Sequence, residues 1–371
     1  MGKKKKKGKQ NGDDGSPAAD LEAVTDAPEP PLAASDRPKK GKGKGKGKAG
    51  KGTDPAEQAV NVPDVDVSPP EVVEEAPHET PGAATKGASA SEDLTEAIRE
   101  ALRMRPGLQL ADIDPSGTPA FDGGKKDAEA VMADRAEEIA DWQERLFAES
   151  KGGGTRSLLL VVQGMDTSGK GGIMRHVVGL MDPQGVDITA FKAPTREERS
   201  HPFLWRIRRA LPAPGKVGVF DRSQYEDVLI VRVRNLVPSS TWSRRYGQIN
   251  TFERTLSRQG TSIVKVMLHI SSEEQKERLG ERLARPDKYW KFNPGDIDER
   301  AHWDDYQVAY QAVLERTSTD HAPWYVVPAN EKWYARLAVQ HLLLGELRAM
   351  NPQWPAATFD VAEQQARLAA T

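Results

Sequence analysis

With 371 residues and a formal net charge of −2, the chain is long enough for two average domains and too nearly neutral to be a general binder of polyanions. It contains no cysteine, which excludes disulfides, thiolate metal sites and cysteine nucleophiles together. No run approaches the ~18 apolar residues of a membrane span, and the lysine-rich start lacks the apolar core, about 7–15 residues long, of a secretory signal; a soluble, cytoplasmic protein is expected, with no membrane partner.

Residues 1–90 are low in large apolar side chains, and no aromatic residue precedes Phe121. Such a segment cannot bury enough surface to offset its chain entropy and is expected to be a disordered tail. Its charge is divided: residues 1–51 hold 14 basic and 7 acidic side chains, residues 52–90 hold 1 and 8. The Gly-Lys alternation from Gly41 to Lys48 reads either as a basic tether for a polyanion or as a solubilising arm. Residues 91–371 then make one sizeable α/β domain.

Order is expected from about Ser91. Leu94, Ile98 and Leu102 recur at helical spacing up to Arg105-Pro106-Gly107, and a second helix is predicted from Asp127 to Ser150, with Val131, Ile139, Trp142 and Leu146 on one stripe. Strands are predicted at Ser157 to Gln163, Asp187 to Lys192, Lys216 to Phe220, Ser262 to Ile270 and Trp324 to Pro328, each rich in Val, Ile or Leu and bounded by turn or helix signals. Five such runs separated by helical patterns imply a parallel, doubly wound sheet with helices on both faces, whose ligands bind beyond the carboxyl ends of the strands.

The first strand runs into Gly164-Met165-Asp166-Thr167-Ser168-Gly169-Lys170-Gly171. Two glycines with four residues between them and then a lysine let backbone N–H groups and one ammonium surround a polyphosphate. The hydroxyl residue that ordinarily follows this lysine and holds Mg²⁺ is replaced by Gly171, while Asp166 places a carboxylate inside the loop. The third strand ends in Phe220-Asp221-Arg222-Ser223, so Asp221 and Asp166 are the candidate metal ligands. Arg222 is placed to clamp a phosphate bidentately. Of Tyr225, Glu226 and Asp227 on the next turn, one acidic group is expected to face an acceptor and another to cap the helix.

After the fourth strand, residues Glu281 to Phe292 interleave basic and aromatic side chains around Pro286, which reads as a mobile basic lid. The alternative is a solvated helix end with Trp290 and Phe292 packed on the core. Arg199, Arg206, Arg208 and Arg209 fall in one predicted helix, with Arg199 and Arg206 on one face; with Arg175, Arg232 and Arg234 they form either an anionic track or a solvated charged surface. His176, His201 and His302 lack metal-ligand spacing and read as structural or phosphate-adjacent.

The segments QGMDTSGKGGIMRHV, FKAPTREE, FDRSQYEDVLIVRV, ERLARPDKYWKFNPGD and HAPWYVVPANEKWY together resemble the polyphosphate kinase 2 family, in order from Leu94 to Leu344. The resemblance implies a P-loop kinase sheet with a lid, and Mg²⁺- or Mn²⁺-dependent transfer of a terminal phosphate between inorganic polyphosphate and a nucleoside mono- or diphosphate. By position, it assigns metal and acceptor orientation to Asp166 and Asp221. Gly164, Gly169, Lys170, Gly171, Gly172 and Arg175 would contact phosphates, and Arg222 and Arg282 would stabilise the transferring group. Lys288 and Lys291 would close the lid, and Glu226 and Lys192 would serve the nucleotide acceptor. Glu226 is similar to members that phosphorylate AMP. A homo-oligomer without specific nucleic-acid binding is expected. The rivals are an ATP-dependent kinase on the same fold and a non-catalytic polyanion-binding scaffold.

Overall fold

The computed structural model describes residues 86–371, with side chains from Leu94 onward. The proposed tail, apart from Lys86 to Ala90, lies outside the described residues. In chain order the elements are α1 (Lys86–Leu102), α2 (Lys125–Asp134), α3 (Ala136–Lys151), β1 (Ser157–Gly164), α4 (Lys170–His176), β2 (Val186–Ala190), α5 (Trp205–Arg209) and β3 (Val217–Asp221). There follow α6 (Ile230–Val233), α7 (Ser239–Arg258), β4 (Thr261–His269), α8 (Ser272–Ala284), α9 (Gly295–Arg300), α10 (Trp303–Thr317), β5 (Trp324–Pro328), α11 (Lys332–Met350) and α12 (Val361–Ala369). No helix among the described residues is long and apolar enough to cross a membrane.

All five strands pair in parallel in the order β2-β3-β1-β4-β5. β1 is central and buried along its whole length, as expected of a strand covered by helices on both faces. The helices α1 to α4 and α11 pack together in one layer, and α6, α7 and α10 in another; α11 and α7 both lie against β4. Leu158 to Val162 are at most 1% exposed, so Leu160→Ala would cost about 2–5 kcal/mol. The order reverses beside β1, and the register pairs Val162 with Asp221 and Gly164 with Leu268. Three strand ends therefore deliver their polar residues to one rim, as the strand pattern requires.

Two predicted helices differ. The helix expected from Asp127 to Ser150 is divided at Arg135, which ends α2 and begins α3; the hydrophobic stripe is continuous in sequence, but α11 packs against each piece separately. The arginine helix shrinks to the five residues of α5, preceded by a separate 3-10 turn at Glu198–Ser200. Pro202, between the two, has no N–H to continue a helix. Arg199 and Arg206 consequently do not share a helical face.

Candidate active site

The loop after β1 depends on two glycines with positive φ. At Gly164 (φ 154°) a Cβ would stand 2.6 Å from Ser168 Oγ and 2.8 Å from the Leu268 carbonyl, so no side chain fits beside β4. Gly169 has φ 113°, a left-handed conformation that a Cβ strains. Gly171 and Gly172 do not share this need: a Cβ on Gly171 would meet nothing within 4 Å, and one on Gly172 would meet only Arg336, at 3.8 Å. Lys170 folds back across the loop, its Nζ donating to the Gly164 carbonyl at 2.8 Å and the Met165 carbonyl at 3.2 Å. Burial lowers the lysine's pKa, Asp166 opposes that shift, and Arg222, Asp221 and Glu226 also act on it. These charged groups from β1, β3 and their loops thus share one small volume.

Arg222 Nη2 donates to Asp166 Oδ1 at 2.9 Å. Burial works against the guanidinium's charge, but Glu226, Asp166 and Asp221 outweigh it and raise its pKa. Arg222 holds this position at φ 64°, a cost of order 1–3 kcal/mol for a residue with a Cβ. Glu226 Oε1 accepts from Gln163 Nε2 at 3.0 Å. Its neighbour Asp227 instead pairs with Arg245 at 2.9 Å, and burial pushes its carboxyl up to about 6 against the pull of Arg245 and Arg206. Glu226 therefore belongs to the loop cluster and Asp227 to the surrounding framework.

A buried network fixes the turn after β3. Lys265, 0% exposed, donates from Nζ to Glu253 Oε2 at 2.7 Å, to the Tyr225 hydroxyl at 2.8 Å and to the Thr317 carbonyl at 2.7 Å. The Tyr225 hydroxyl in turn donates to Glu253 Oε1 at 2.7 Å. Removing one member would strand a buried charge at a cost of about 3–5 kcal/mol. The turn carrying Arg222 and Glu226 thus rests on a rigid base.

Helix α8 supplies supports that the sequence reading missed. Arg278 Nη1 donates to the Thr167 carbonyl at 2.9 Å, while Nη2 reaches the Ala329 carbonyl at 2.7 Å and the Asn330 carbonyl at 2.9 Å. Gln275 Nε2 donates to the Asp166 carbonyl at 3.1 Å. Gln275, Arg278 and Arg282 lie at i, i+3 and i+7, one stripe of a helix. That spacing was the available signal.

The lid begins where α8 ends. Arg282 Nη1 donates to the Lys291 carbonyl at 3.0 Å and to Asp296 Oδ2 at 3.3 Å, tying a 3-10 segment, Pro286–Lys291, to the start of α9. Asp296 is in turn raised in pKa, by burial first and by Asp166 second, so this hinge lies within electrostatic reach of the loop. Trp290 is 79% exposed and does not pack on the core, contrary to the alternative reading of this segment. Lys291 is exposed and Lys288 half-buried.

Residues 123–355 match the family described as Polyphosphate kinase 2 (PPK2). The chain belongs to the polyphosphate kinase 2 family. It is 45% identical, over 67% of its length and 91% of the relative's, to the AMP/ADP-polyphosphate phosphotransferase of Meiothermus ruber. It is 39% identical to the ADP-polyphosphate phosphotransferase of Rhodopseudomonas palustris, over 66% of this chain and 87% of that one. The crystal structure of polyphosphate kinase 2 from Arthrobacter aurescens TC1 superposes with a TM-score of 0.73 at 56% identity, covering 74% of this chain and 97% of that one.

Not every residue expected at the site joins the cluster. Lys192 is exposed beyond β2, and only its carbonyl is engaged, by Arg206 Nη1 at 2.8 Å. Arg175 is exposed on the last turn of α4, away from Lys170 and within electrostatic reach of Arg336. The anionic track is not continuous: Arg206 is buried against Phe191, Arg232 packs over Trp242 and donates to the Tyr246 hydroxyl, and Arg234 pairs with Glu299. His201 stacks on Trp205 and His302 lies between Arg234 and Asp305.

Among the described residues, no three His, Asp or Glu side chains converge to hold a metal alone. Mg²⁺ needs fewer protein ligands, since it keeps waters and takes phosphate oxygens beside one or two carboxylates. Asp166 and Asp221 suit that requirement, and the Ser168 hydroxyl in the same loop is buried without a partner. The donor set fits a divalent ion bound with its phosphate ligand.

Proposed function

We propose that this chain transfers a terminal phosphate between inorganic polyphosphate and a nucleoside mono- or diphosphate, with AMP and ADP as acceptors and GMP and GDP as further ones. The observation that carries this reading is the meeting of Lys170 and Arg222 with Asp166, Asp221 and Glu226 at the mouth of a glycine loop. In the forward step an acceptor phosphate oxygen bonds the terminal phosphorus, the bridging P–O bond breaks, and the electron pair leaves with a polymer one unit shorter. No side chain acts as a nucleophile, so the protein's part is positioning and charge compensation.

The loop from Gly164 to Gly172 would hold the phosphates, with Lys170 exchanging the Gly164 and Met165 carbonyls for phosphate oxygens. Arg222 would turn its fork from Asp166 to the transferring group. Glu226, held by Gln163, and Lys192 would serve the acceptor. Arg282, Lys288 and Lys291 would bring positive charge over the site and exclude water, and Arg175 would meet phosphates further along. Mg²⁺ or Mn²⁺, held by Asp166 and Asp221, would supply Lewis-acid charge compensation. The setting we propose is cytoplasmic, with direction set by mass action.

The test is the purified chain with Mg²⁺, long-chain polyphosphate and AMP, ADP, GMP or GDP, the nucleotide products being separated and counted. Nucleotide phosphorylation with polyphosphate as sole donor is expected. No product from any of the four, alongside transfer from ATP to another acceptor, would leave only the kinase fold standing.

A further inference from the structure

The phosphate loop contains a turn that its own residues do not favour. The Ser168 N–H donates to the Met165 carbonyl at 3.1 Å, closing a four-residue turn whose third residue, Thr167, has φ 65°. Asp166, the second residue, keeps a negative φ, so the turn is of the type II kind, which ordinarily places Gly or Asn third. Threonine, branched at Cβ, is strained there. The type I turn that suits it differs by inversion of one peptide, the one joining Asp166 to Thr167.

That peptide is held from outside the loop. Its carbonyl, that of Asp166, accepts from Gln275 Nε2 at 3.1 Å, and the next carbonyl, that of Thr167, accepts from Arg278 Nη1 at 2.9 Å. Gln275 is 2% exposed, and its Oε1 accepts from Arg300 Nη1 at 2.8 Å. Arg300, the last residue of α9, also donates to the Ser272 carbonyl at 2.9 Å and to Ser272 Oγ at 3.2 Å. A guanidinium only donates and a carbonyl only accepts. Of the two orientations of the Gln275 amide, only the observed one therefore satisfies both neighbours; the flipped amide would set its nitrogen against Arg300 and its oxygen against the Asp166 carbonyl. The Thr167 N–H, on the opposite edge of the same trans peptide, makes no hydrogen bond among the described residues.

We propose that Gln275 and Arg300 are positioning residues for the donor phosphates: Arg300 fixes the Gln275 amide, the amide holds the peptide between Asp166 and Thr167 inverted, and the Thr167 N–H is thereby presented to a phosphate oxygen. The proposal rests on the loop being the phosphate site of the reaction set out above. Arg300 ends the helix near whose start Asp296 meets Arg282, so the foot of the lid and the strained turn of the loop share one chain of bonds.

The experiment titrates tripolyphosphate with Mg²⁺ into the full chain by calorimetry and measures the KM for polyphosphate and for AMP beside it. Gln275→Met keeps the length of the side chain and removes the donor. It is expected to weaken tripolyphosphate about tenfold, the loss of one hydrogen bond, and to raise the KM for polyphosphate to match, with the KM for AMP unchanged. Arg300→Met should act in the same direction, and Arg300→Lys, which can still donate to Oε1, should recover most of the loss. Glycine adopts φ 65° without strain, so in a Thr167→Gly background Gln275→Met should cost less than about threefold. Should Gln275→Met fail to fold, Arg300→Met, at a half-buried position, decides, alone and with Thr167→Gly. Unchanged tripolyphosphate affinity in these variants, or a loss that persists in full beside Thr167→Gly, overturns the assignment. Wild-type binding of tripolyphosphate without transfer to AMP would sink the proposed reaction and leave this test in force; a wild type that does not bind it overturns both.

Discussion

Asp166 and Arg222, 56 residues apart in the chain, form a 2.9 Å ion pair across the mouth of the phosphate loop. In the proposed reaction the pair joins a carboxylate for the metal to a guanidinium for the transferring phosphate, and each satisfies the other. Substrate binding would then exchange partners without exposing an unpaired charge to a half-buried site. Asp166→Asn and Asp221→Asn are each expected to lower kcat by about a thousandfold, roughly 4 kcal/mol, with little change in melting temperature. Near wild-type turnover with ordinary Mg²⁺ dependence in either variant would remove that residue from the metal site.

The glycines of the loop should separate by substitution. Gly164→Ala meets Ser168 and the Leu268 carbonyl below 3.0 Å and is expected to abolish activity and lower the melting temperature. Gly171→Ser has open space for its Cβ, restores the usual hydroxyl position, and should stabilise the chain by a few tenths of a kcal/mol through helix propensity with activity retained. Thermal melts and steady-state rates on both proteins are the check.

Arg278 touches three carbonyls from two loops, yet its proposed role is to position the loop rather than contact substrate. Arg278→Met should cost about 2–4 kcal/mol of stability and lower kcat more than it raises the KM for AMP. A large rise in KM with kcat preserved would instead make it a substrate contact.

Lys291 is exposed and Lys288 half-buried while Arg206 is buried, so their variants should behave differently. The double variant Lys288→Ala/Lys291→Ala should raise the KM for polyphosphate and flatten its salt dependence without altering the melting temperature. Arg206→Ala loses its bond to the Lys192 carbonyl and its position between Glu198 and Asp227, each 3.9 Å away. Destabilisation of about 2–3 kcal/mol is expected, so an Arg206 defect cannot be read as lost polymer contact until stability has been measured.

His341 lies fully buried in α11, with Nδ1 bonded to Thr95 at 2.8 Å, and burial beside Arg135 and Arg348 lowers its pKa from 6.5 to about 4. The unfolded chain binds the proton first as pH falls. The stability this neutral imidazole confers is therefore complete above about pH 6.5 and is lost as pH falls through about 4, amounting to about 3 kcal/mol. Asp227, raised from 3.8 to about 6, has the opposite sign: its contribution is present below 3.8 and is lost as pH rises through about 6. Melting temperatures of wild type and His341→Gln between pH 7 and pH 4 separate the two. The wild type should lose more stability than the variant on acidification, and parallel curves would refute the assignment.

The strands and the phosphate loop were legible because their signals are local. An apolar run such as Ser157 to Gln163, a glycine that must take positive φ and an aspartate at a strand end are each written within a few residues, and the structure places all five strands within two residues of their predicted limits. The breaks at Arg135 and Pro202 were harder to read, because helical periodicity runs through both while packing against α11 and a missing N–H decide the outcome. The pairing of charges was decided only by tertiary structure. Glu226 and Asp227 are adjacent and chemically alike, but Gln163 holds the first beside the loop and Arg245 the second in the framework. The grip of Arg278 on Thr167 crosses 111 residues, and the arginines that read either as one track or as a solvated charged surface are separated by the partners each meets. A sequence states which charges are present; their partners depend on which strand ends the parallel sheet brings to the same rim, and at distances of about 3 Å that placement determines both pKa and role.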